Sequence, residues 1–349
     1  MMKLNDLVNQ SGEWLKATGA ESDIVMSSRI RFARNLKGLS FAHWAGEKEK
    51  NQVLANVKEV LLKNNYLKNS LFLRMDELNE LDKRFLVERH LISRELAAMG
   101  SCKAVDVSDK ELFSIMINEE DHLRLQVLQS GLELKESLRL LENLDNELQK
   151  DFDYACSSKW GYLTACPTNV GTGMRASVMV HLPALVMAKR IGKVLESIAR
   201  INLAVRGLYG EGTEASGNLF QISNQITLGH SEIELVDSIE RVIKQVIEYE
   251  RRARDVLMKD SRDQLEDKIW RAYGILSNSR IISSLEVISL LSAVRLGINL
   301  SIINKVDAKT VNELFIITQP AHLQKIEGRA LSPQERDIKR ADLLRSKLK

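Results

Sequence analysis

Five arginines of this chain stand where they could hold phosphate. Arg29 and Arg31 alternate with Ile30 and Phe32 in S-S-R-I-R-F-A, residues 27–33. That strand period puts both guanidinium groups on one face. Arg124 lies in a second alternation, residues 120–127. There Glu120, His122 and Gln126 share its face, while Leu123, Leu125 and Val127 take the other. Arg175 follows G-T-G-M, and Arg206 precedes G-L-Y-G. Glycine lets backbone approach a ligand closely. Arginine stays charged and offers a planar fork of donors, so several converging arginines suit a polyphosphate. Taken singly, each is more simply a surface ion pair. The same-face pair and the two glycine turns favour phosphate.

Carboxylates follow. N-E-E-D, residues 118–121, precedes His122 at a strand turn. Such a cluster can bind Mg²⁺, act as a base or attract a cation; a solvated turn is the plainer alternative. Glu211 adds a carboxylate inside the second glycine-rich loop. Cys166, in T-A-C-P-T-N, precedes a proline beside a glycine turn and is a candidate activated thiolate, although buried cysteines are more often structural. Cys102 and Cys156 read as structural.

The elements that position these groups follow from periodicity. Strands are expected over 27–33, 111–117, 120–127, 177–181 and 219–227. Helices are expected over 51–63, 132–150 and 231–258, with another opened by Pro183 and running to about Ile201. Past residue 258 glycine thins and helical spacing takes over. Leu265, Ile269 and Tyr273 mark one helix. Leu285, Ile288 and Leu291 mark the next, with Gly297 placed to end it. Asp307 caps a third. Ser332, Pro333 and Glu335 form a capping box for the fourth. A boundary near 258 divides a mixed sheet-and-helix part, 1–258, from an all-helical part, 259–349.

Composition removes several classes. The chain has 349 residues, 44% hydrophobic, with 50 Lys+Arg against 47 Asp+Glu. That is too apolar and too balanced for disorder. No run of about 18 apolar residues suggests a membrane span, and the first 20 residues do not form a signal-peptide core. Three cysteines imply reduced thiols and a cytoplasmic protein. A net charge of +3 gives no prior for nucleic acid. From Lys325 onward eight Lys+Arg face four Asp+Glu, so that tail carries +4 and the remainder −1. No G-x-x-x-x-G-K-S/T loop, H-R-D or D-F-G set, paired Cys/His zinc spacing or G-x-S-x-G elbow occurs.

S-S-R-I-R, N-E-E-D-H-x-R, C-P-T-N-V-G-T-G-x-R-A and R-G-x-x-G-E-G-T-E occur in the order found in the ATP:guanidino phosphotransferases, the phosphagen kinases. The chain resembles that family over its whole length, and most resembles its bacterial protein-arginine kinase branch (the McsB type). Two features favour that branch over small-molecule kinases. S-S-R-I-R begins already at residue 27, which leaves no room for their extra N-terminal helical domain. A C-terminal helical part carries R-D-x-x-R-A at residues 336–341. Relatives often have proline where Arg94 stands, so the loop after H-L-I-S is expected to differ in shape.

The resemblance implies an α+β fold: an antiparallel, glutamine-synthetase-like sheet flanked by helices, then the small helical domain. It implies ATP with Mg²⁺ bridging its phosphates, and no direct protein ligand to the metal. Arg29, Arg31, Arg124, Arg175 and Arg206 would hold the phosphates. Ser27, Ser28, Ile30, His90, Ala176, Ser177, Val178, Met179, Gly207, Leu208, Tyr209, Gly210 and Glu211 would line the nucleotide. Glu120 matches the base, Glu211 a second substrate-orienting carboxylate, and Cys166 a thiolate touching the guanidinium. Arg336, Asp337, Arg340 and Ala341 match an allosteric phosphoarginine pocket; from spacing alone, Arg336 and Arg340 are an ordinary i,i+4 pair. By resemblance the partners are proteins with exposed arginine, a zinc-binding activator protein, a Clp ATPase and a heat-shock repressor, and the chain is a homodimer joined through its helical domain. A free guanidino-compound kinase and a catalytically idle adaptor are the competing readings.

Overall fold

The computed structural model describes residues 3–98, 100–207 and 216–349. In chain order its helices are α1 (Asp6–Asn9), α2 (Glu47–Lys63), α3 (Glu80–Glu88), α4 (Arg94–Ala97), α5 (Leu134–Leu148), α6 (Pro183–Met187), α7 (Ile191–Arg200), α8 (Glu232–Asp260), α9 (Arg262–Asn278), α10 (Ser284–Asn299), α11 (Ala308–Ile317), α12 (Pro320–Glu327) and α13 (Pro333–Leu348). The strands are β1 (Val25–Arg34), β2 (Leu71–Arg74), β3 (Ala104–Val107), β4 (Phe113–Ile117), β5 (Leu123–Ser130), β6 (Cys156–Ser157), β7 (Gly161–Tyr162), β8 (Met174–His181), β9 (Leu203–Gly207) and β10 (Leu219–Asn224). Eight strands form one sheet in the order β2-β3-β4-β5-β1-β8-β10-β9. Every pairing in it is antiparallel.

The period-2 pattern sorts the sheet into two unlike faces. Ile30, Phe32, Leu123, Leu125, Val127, Ala176, Val178 and Ile222 are buried under α2, α5 and α8. The opposite face is apolar along its β2–β4 edge, where Val105, Val107 and Met116 pack with α3, α4 and Ala321 of α12, and again at one end of its central strands. There Met26, Leu128, Met179 and Leu219 join a core with Trp14, Leu15 and helices α9, α10, α11 and α13. The C-terminal helices therefore complete the sheet's second face rather than standing apart from it. Arg295 of α10 fastens them: its guanidinium donates to Ser22 O (2.8 Å) and Asp23 O (3.1 Å) and reaches His181 Nδ1 at 3.0 Å.

Several expected boundaries shift for local reasons. The strand expected over 120–127 begins at Leu123, because residues 118–122 form a turn around left-handed Asn118 (φ 54°). β10 stops at Asn224, whose side chain takes over pairing by accepting from Ala176 N and donating to Met174 O. The helix expected from Pro183 to Ile201 is two helices, since Lys189 is left-handed (φ 56°) and turns the chain. Gly297 does not end α10. It lies inside the helix, where a Cβ would come within 2.4 Å of Ile269 Cγ2; the turn follows at left-handed Ser301 (φ 59°). The capping boxes at Ser332 and Ser231 and the Asp307 cap form as sequence dictates. Cys102 is buried, but Cys156 is exposed on the β6–β7 hairpin and is not a core residue.

Candidate active site

The open end of the sheet's second face is the floor of a cleft of about 1510 Å³. Arg29, Arg31, Arg124, Arg175 and Arg206 all line it, with His90, Glu119 and Glu120. Strand register brings them together. Arg31 of β1 pairs with Arg175 of β8 on one side and Gln126 of β5 on the other. Arg124 pairs with Ala33, and Arg206 with Gln221.

Alternation decides which residues of the expected segments reach the cleft. Ser27, Ser177, Met179 and Gln221 line a small recess continuous with Arg29 and His90. Ile30, Ala176 and Val178 point into the helix-covered core. Ser28 also faces away: its hydroxyl donates to Gly131 O (2.8 Å) and accepts from Glu133 N (3.0 Å). None of those four residues lines the cleft or the recess. Gly207 closes β9 at the cleft edge. Leu208, Tyr209, Gly210 and Glu211 lie outside the described residues.

The arginines are under-compensated. Among the described residues, Glu119 is the one carboxylate bonded to any of the five; it accepts from Arg124 and from Ser93 Oγ. Burial works against the Glu119 anion, but the Arg124 charge and these hydrogen bonds outweigh it and hold its carboxyl below the usual range. Arg29 donates to Gln221 Oε1 (2.8 Å), and Arg175 to Ser223 Oγ (3.2 Å). Arg31 Nε and Arg175 Nε are buried without a partner among the described residues. Burial, then the charges of Arg124 and Arg175, push Arg29 down to about 9. Arg31 is lowered by burial and by Arg29, Arg124 and Arg175. Arg175 is lowered by burial, Arg206 and Arg124. A face of cations that disfavour their own charge is built to receive an anion.

His90 forms one wall. It is left-handed (φ 60°), its ring meets Trp14 edge-on at 5.4 Å, and its Nε2 is buried without a partner. Burial and then the Arg29 charge push it down to about 3, so the ring is neutral at ordinary pH. Arg94 occupies the first position of α4, behind the Ser93 cap. Proline is also favoured at that position of a helix.

Glu120 tops the turn, exposed, with no hydrogen-bond partner among the described residues. Partial burial and the neighbouring Asp121 and Glu119 charges raise its carboxyl above the usual range. Its neighbours are fixed. Asp121 is 3% exposed, and its Oδ1 accepts from Asn35 Nδ2 (2.6 Å) and Ala165 N (2.7 Å). Asp121 thus ties the Glu120 turn to the segment bearing Cys166. His122 does not face the cleft; its buried ring accepts from Leu36 N (3.0 Å) and meets Ser40 O at 2.9 Å. Cys166 is half-buried, with Sγ 3.0 Å from Thr168 Oγ1, and does not line the cleft itself; Asn169 does.

Sequence reasoning passed over Gln221, Ser223, Asn35 and Asp121's pinning role. Gln221 and Ser223 carried a usable signal, because they alternate with buried Phe220 and Ile222 in β10. Asn35 and Asp121 did not.

On α13, Arg336 and Arg340 do not form an equivalent pair. Arg340 is 1% exposed and donates to Thr318 O (2.8 Å), Ile282 O (2.9 Å) and Asp337. Arg336 is half-buried and donates to Leu331 O (3.2 Å), and Ala341 is fully buried. Among the described residues no helix is long and apolar enough to cross a membrane.

Two family profiles match. "ATP:guanido phosphotransferase, C-terminal catalytic domain" covers residues 52–253, and "Protein-arginine kinase McsB C-terminal domain" covers 262–349. The chain is 49% identical to a protein-arginine kinase of Halothermothrix orenii over 99% of both chains. It is 46% identical to one of Desulforamulus reducens, covering 99% of this chain and 98% of that one. Among solved structures it resembles the duplicated taurocyamine kinase of Schistosoma mansoni with bound transition-state-analogue components. That match has a TM-score of 0.60 and 26% identity over 72% of this chain and 36% of that one. It also resembles a lombricine kinase, with a TM-score of 0.58 and 26% identity over 70% and 72% of the two chains. The arginine floor, the N-E-E-D turn and the full-length likeness lead to one conclusion: the chain belongs to the ATP:guanido phosphotransferase family, within its protein-arginine kinase group.

Proposed function

We propose that this chain transfers the γ-phosphoryl group of ATP to arginine side chains of proteins. The observation that carries the reading is the floor of five arginines with Glu119 as their one bonded counter-charge among the described residues. Such a surface is completed by a triphosphate. Mg²⁺ would enter with the nucleotide and neutralise charge on the β- and γ-phosphates.

The acceptor guanidinium, of pKa above about 12, is a poor nucleophile while protonated. In this reading Glu120, raised and with no hydrogen-bond partner among the described residues, takes the proton as the nitrogen attacks. The N–P bond forms as the bond between the γ-phosphorus and the bridging oxygen breaks, ADP leaves, and the proton passes to the carboxylate. In this reading Glu211 is the second carboxylate and Cys166 the group that orients the acceptor. No covalent enzyme intermediate is required; alignment and charge supply the rate.

The division near residue 258, phosphoarginine sensing by Arg336, Asp337, Arg340 and Ala341, and a cytoplasmic homodimer belong to the same proposal. Exposed Ile275, Leu285 and Ile338 on the C-terminal helices, with Ile281 between α9 and α10, support a dimer contact there. The zinc-binding activator, Clp ATPase and heat-shock repressor are the partners it expects. The test is incubation of a mixed protein substrate, or free arginine, with Mg·ATP, followed by mass spectrometry that preserves the acid-labile P–N bond. Phosphoarginine on protein supports the reading. Phosphorylation of free arginine alone points to a phosphagen kinase, and no transfer points to an idle adaptor.

A further inference from the structure

One face of α3 is given over to the C-terminal helix α12. Asp82 pairs with Lys325 at 2.7 Å, and Phe85 packs on His322 with ring centroids 5.0 Å apart. Glu88, the last residue of α3, accepts from Ala321 N and His322 N, both at 2.8 Å. These three residues recur at i, i+3 and i+6, so they share a helix face.

The Glu88 contact differs in kind from the other two. The first turn of a helix leaves its N–H groups unpaired and carries partial positive charge. Pro320 has no N–H to satisfy, and no side chain of α12's own N-cap bonds the turn. Glu88 supplies the missing acceptor for both of the next N–H groups from a distant part of the chain. The chain just before α12 is held as well, because Arg340 Nε donates to Thr318 O at 2.8 Å.

Location gives this contact a role in chemistry. Val87, Glu88 and His90 line the arginine cleft from the end of α3, and Gln319 lines it from the residue before α12. Asp82 and Phe85 do not line it. Two residues beyond Glu88, the chain turns through left-handed His90, whose unpartnered Nε2 is buried at the cleft wall. The position of that wall is tied to where α3 ends, and α3 ends on α12, while Gln126 Nε2 donates to His90 O at 2.9 Å from the sheet.

We propose that Glu88 is a positioning residue for phosphoryl transfer, which fixes the His90 wall of the nucleotide cleft by closing the first turn of the C-terminal helix α12. The inference rests on the reading that the arginine cleft holds ATP. It makes the C-terminal helices part of the nucleotide site, with Glu88 as the joint.

The test uses the full chain and compares Glu88→Gln, Glu88→Asp, Asp82→Asn and His90→Ala. Glu88→Gln replaces one of the two acceptor oxygens at the helix N-terminus with an amide nitrogen that can only donate, while Asp82→Asn loosens the same helix pair away from the cleft. KM for ATP should rise on the order of tenfold in Glu88→Gln, equivalent to about 1.4 kcal/mol. It should recover in part in Glu88→Asp, stay near wild type in Asp82→Asn at a similar thermal midpoint, and rise in His90→Ala. The His90 ring NMR signals should shift in Glu88→Gln and not in Asp82→Asn. If Glu88→Gln does not fold, Glu88→Asp is compared with Asp82→Asn by the same readouts. Equal effects of the Glu88 and Asp82 variants, or an unchanged KM with unmoved His90 signals, overturn the positioning role while leaving the cleft reading intact. An unchanged KM in His90→Ala overturns both His90's contact with nucleotide and the inference built on it.

Discussion

Arg31 of β1 stands directly opposite Arg175 of β8 in the centre of the sheet. Like charges paired across antiparallel strands repel, and the Nε of each is buried without a partner among the described residues. Folding alone gains nothing from this pair; an anion bound between the two guanidinium groups would offset their repulsion.

Replacing Arg31 with Met keeps the stem and removes one charge. The ligand-free protein should melt no lower than wild type, or slightly higher, because a repulsion of roughly 0.2–1 kcal/mol is relieved. The stabilisation given by Mg·ATP should largely vanish, and turnover should fall by about a hundredfold or more. Thermal shift with and without ATP reads both effects. An undiminished ATP shift would remove Arg31 from the phosphate site.

Glu120 is raised by burial and by the Asp121 and Glu119 charges. A base works as its anion, so activity should fall as pH drops through a value above the ordinary glutamate range. Glu119→Gln removes one neighbouring negative charge and should move that acid limb to lower pH. Glu120→Ala should cost about 10² to 10⁴ in phosphoarginine formation while ATP still binds. Activity within a few-fold of wild type would reassign the base.

Asp121 reports on alignment rather than charge. Its carboxylate joins Asn35 to Ala165 N, next to Cys166. Asp121→Ala should destabilise by about 1–3 kcal/mol, because it leaves buried donors unpaired. Turnover should fall with KM for ATP little changed, as phosphate contacts lie elsewhere. Cys166→Ser should also lower turnover sharply with a normal melting point. A near-normal rate would give Cys166 a packing role only.

Arg336 and Arg340 should separate. Arg340→Ala strands two carbonyls and Asp337, so it should lower stability by about 2–3 kcal/mol. Arg336→Ala should leave the melting point close to wild type while abolishing any stimulation by phosphoarginine. Stimulation that survives in Arg336→Ala would place phosphoarginine sensing elsewhere.

What the sequence determined by itself is local. Alternation put Arg29 and Arg31 on one face and Ser28 and Ile30 on the other, because successive strand side chains point oppositely whatever they pair with. Asp307 and Ser332 marked helix starts, because a cap bonds within one turn. The motif order supplied the family and, with it, the candidate site. Tertiary structure alone decided that Arg31 faces Arg175, since register joins residues 144 positions apart. It also decided that Asp121 holds Ala165, that Arg295 of α10 meets His181, and that Glu88 closes α12. Each of these bonds joins two segments distant in the chain. A hydrogen bond between such segments leaves no period in either one, so only the folded chain shows that the C-terminal helices and the arginine cleft share a wall.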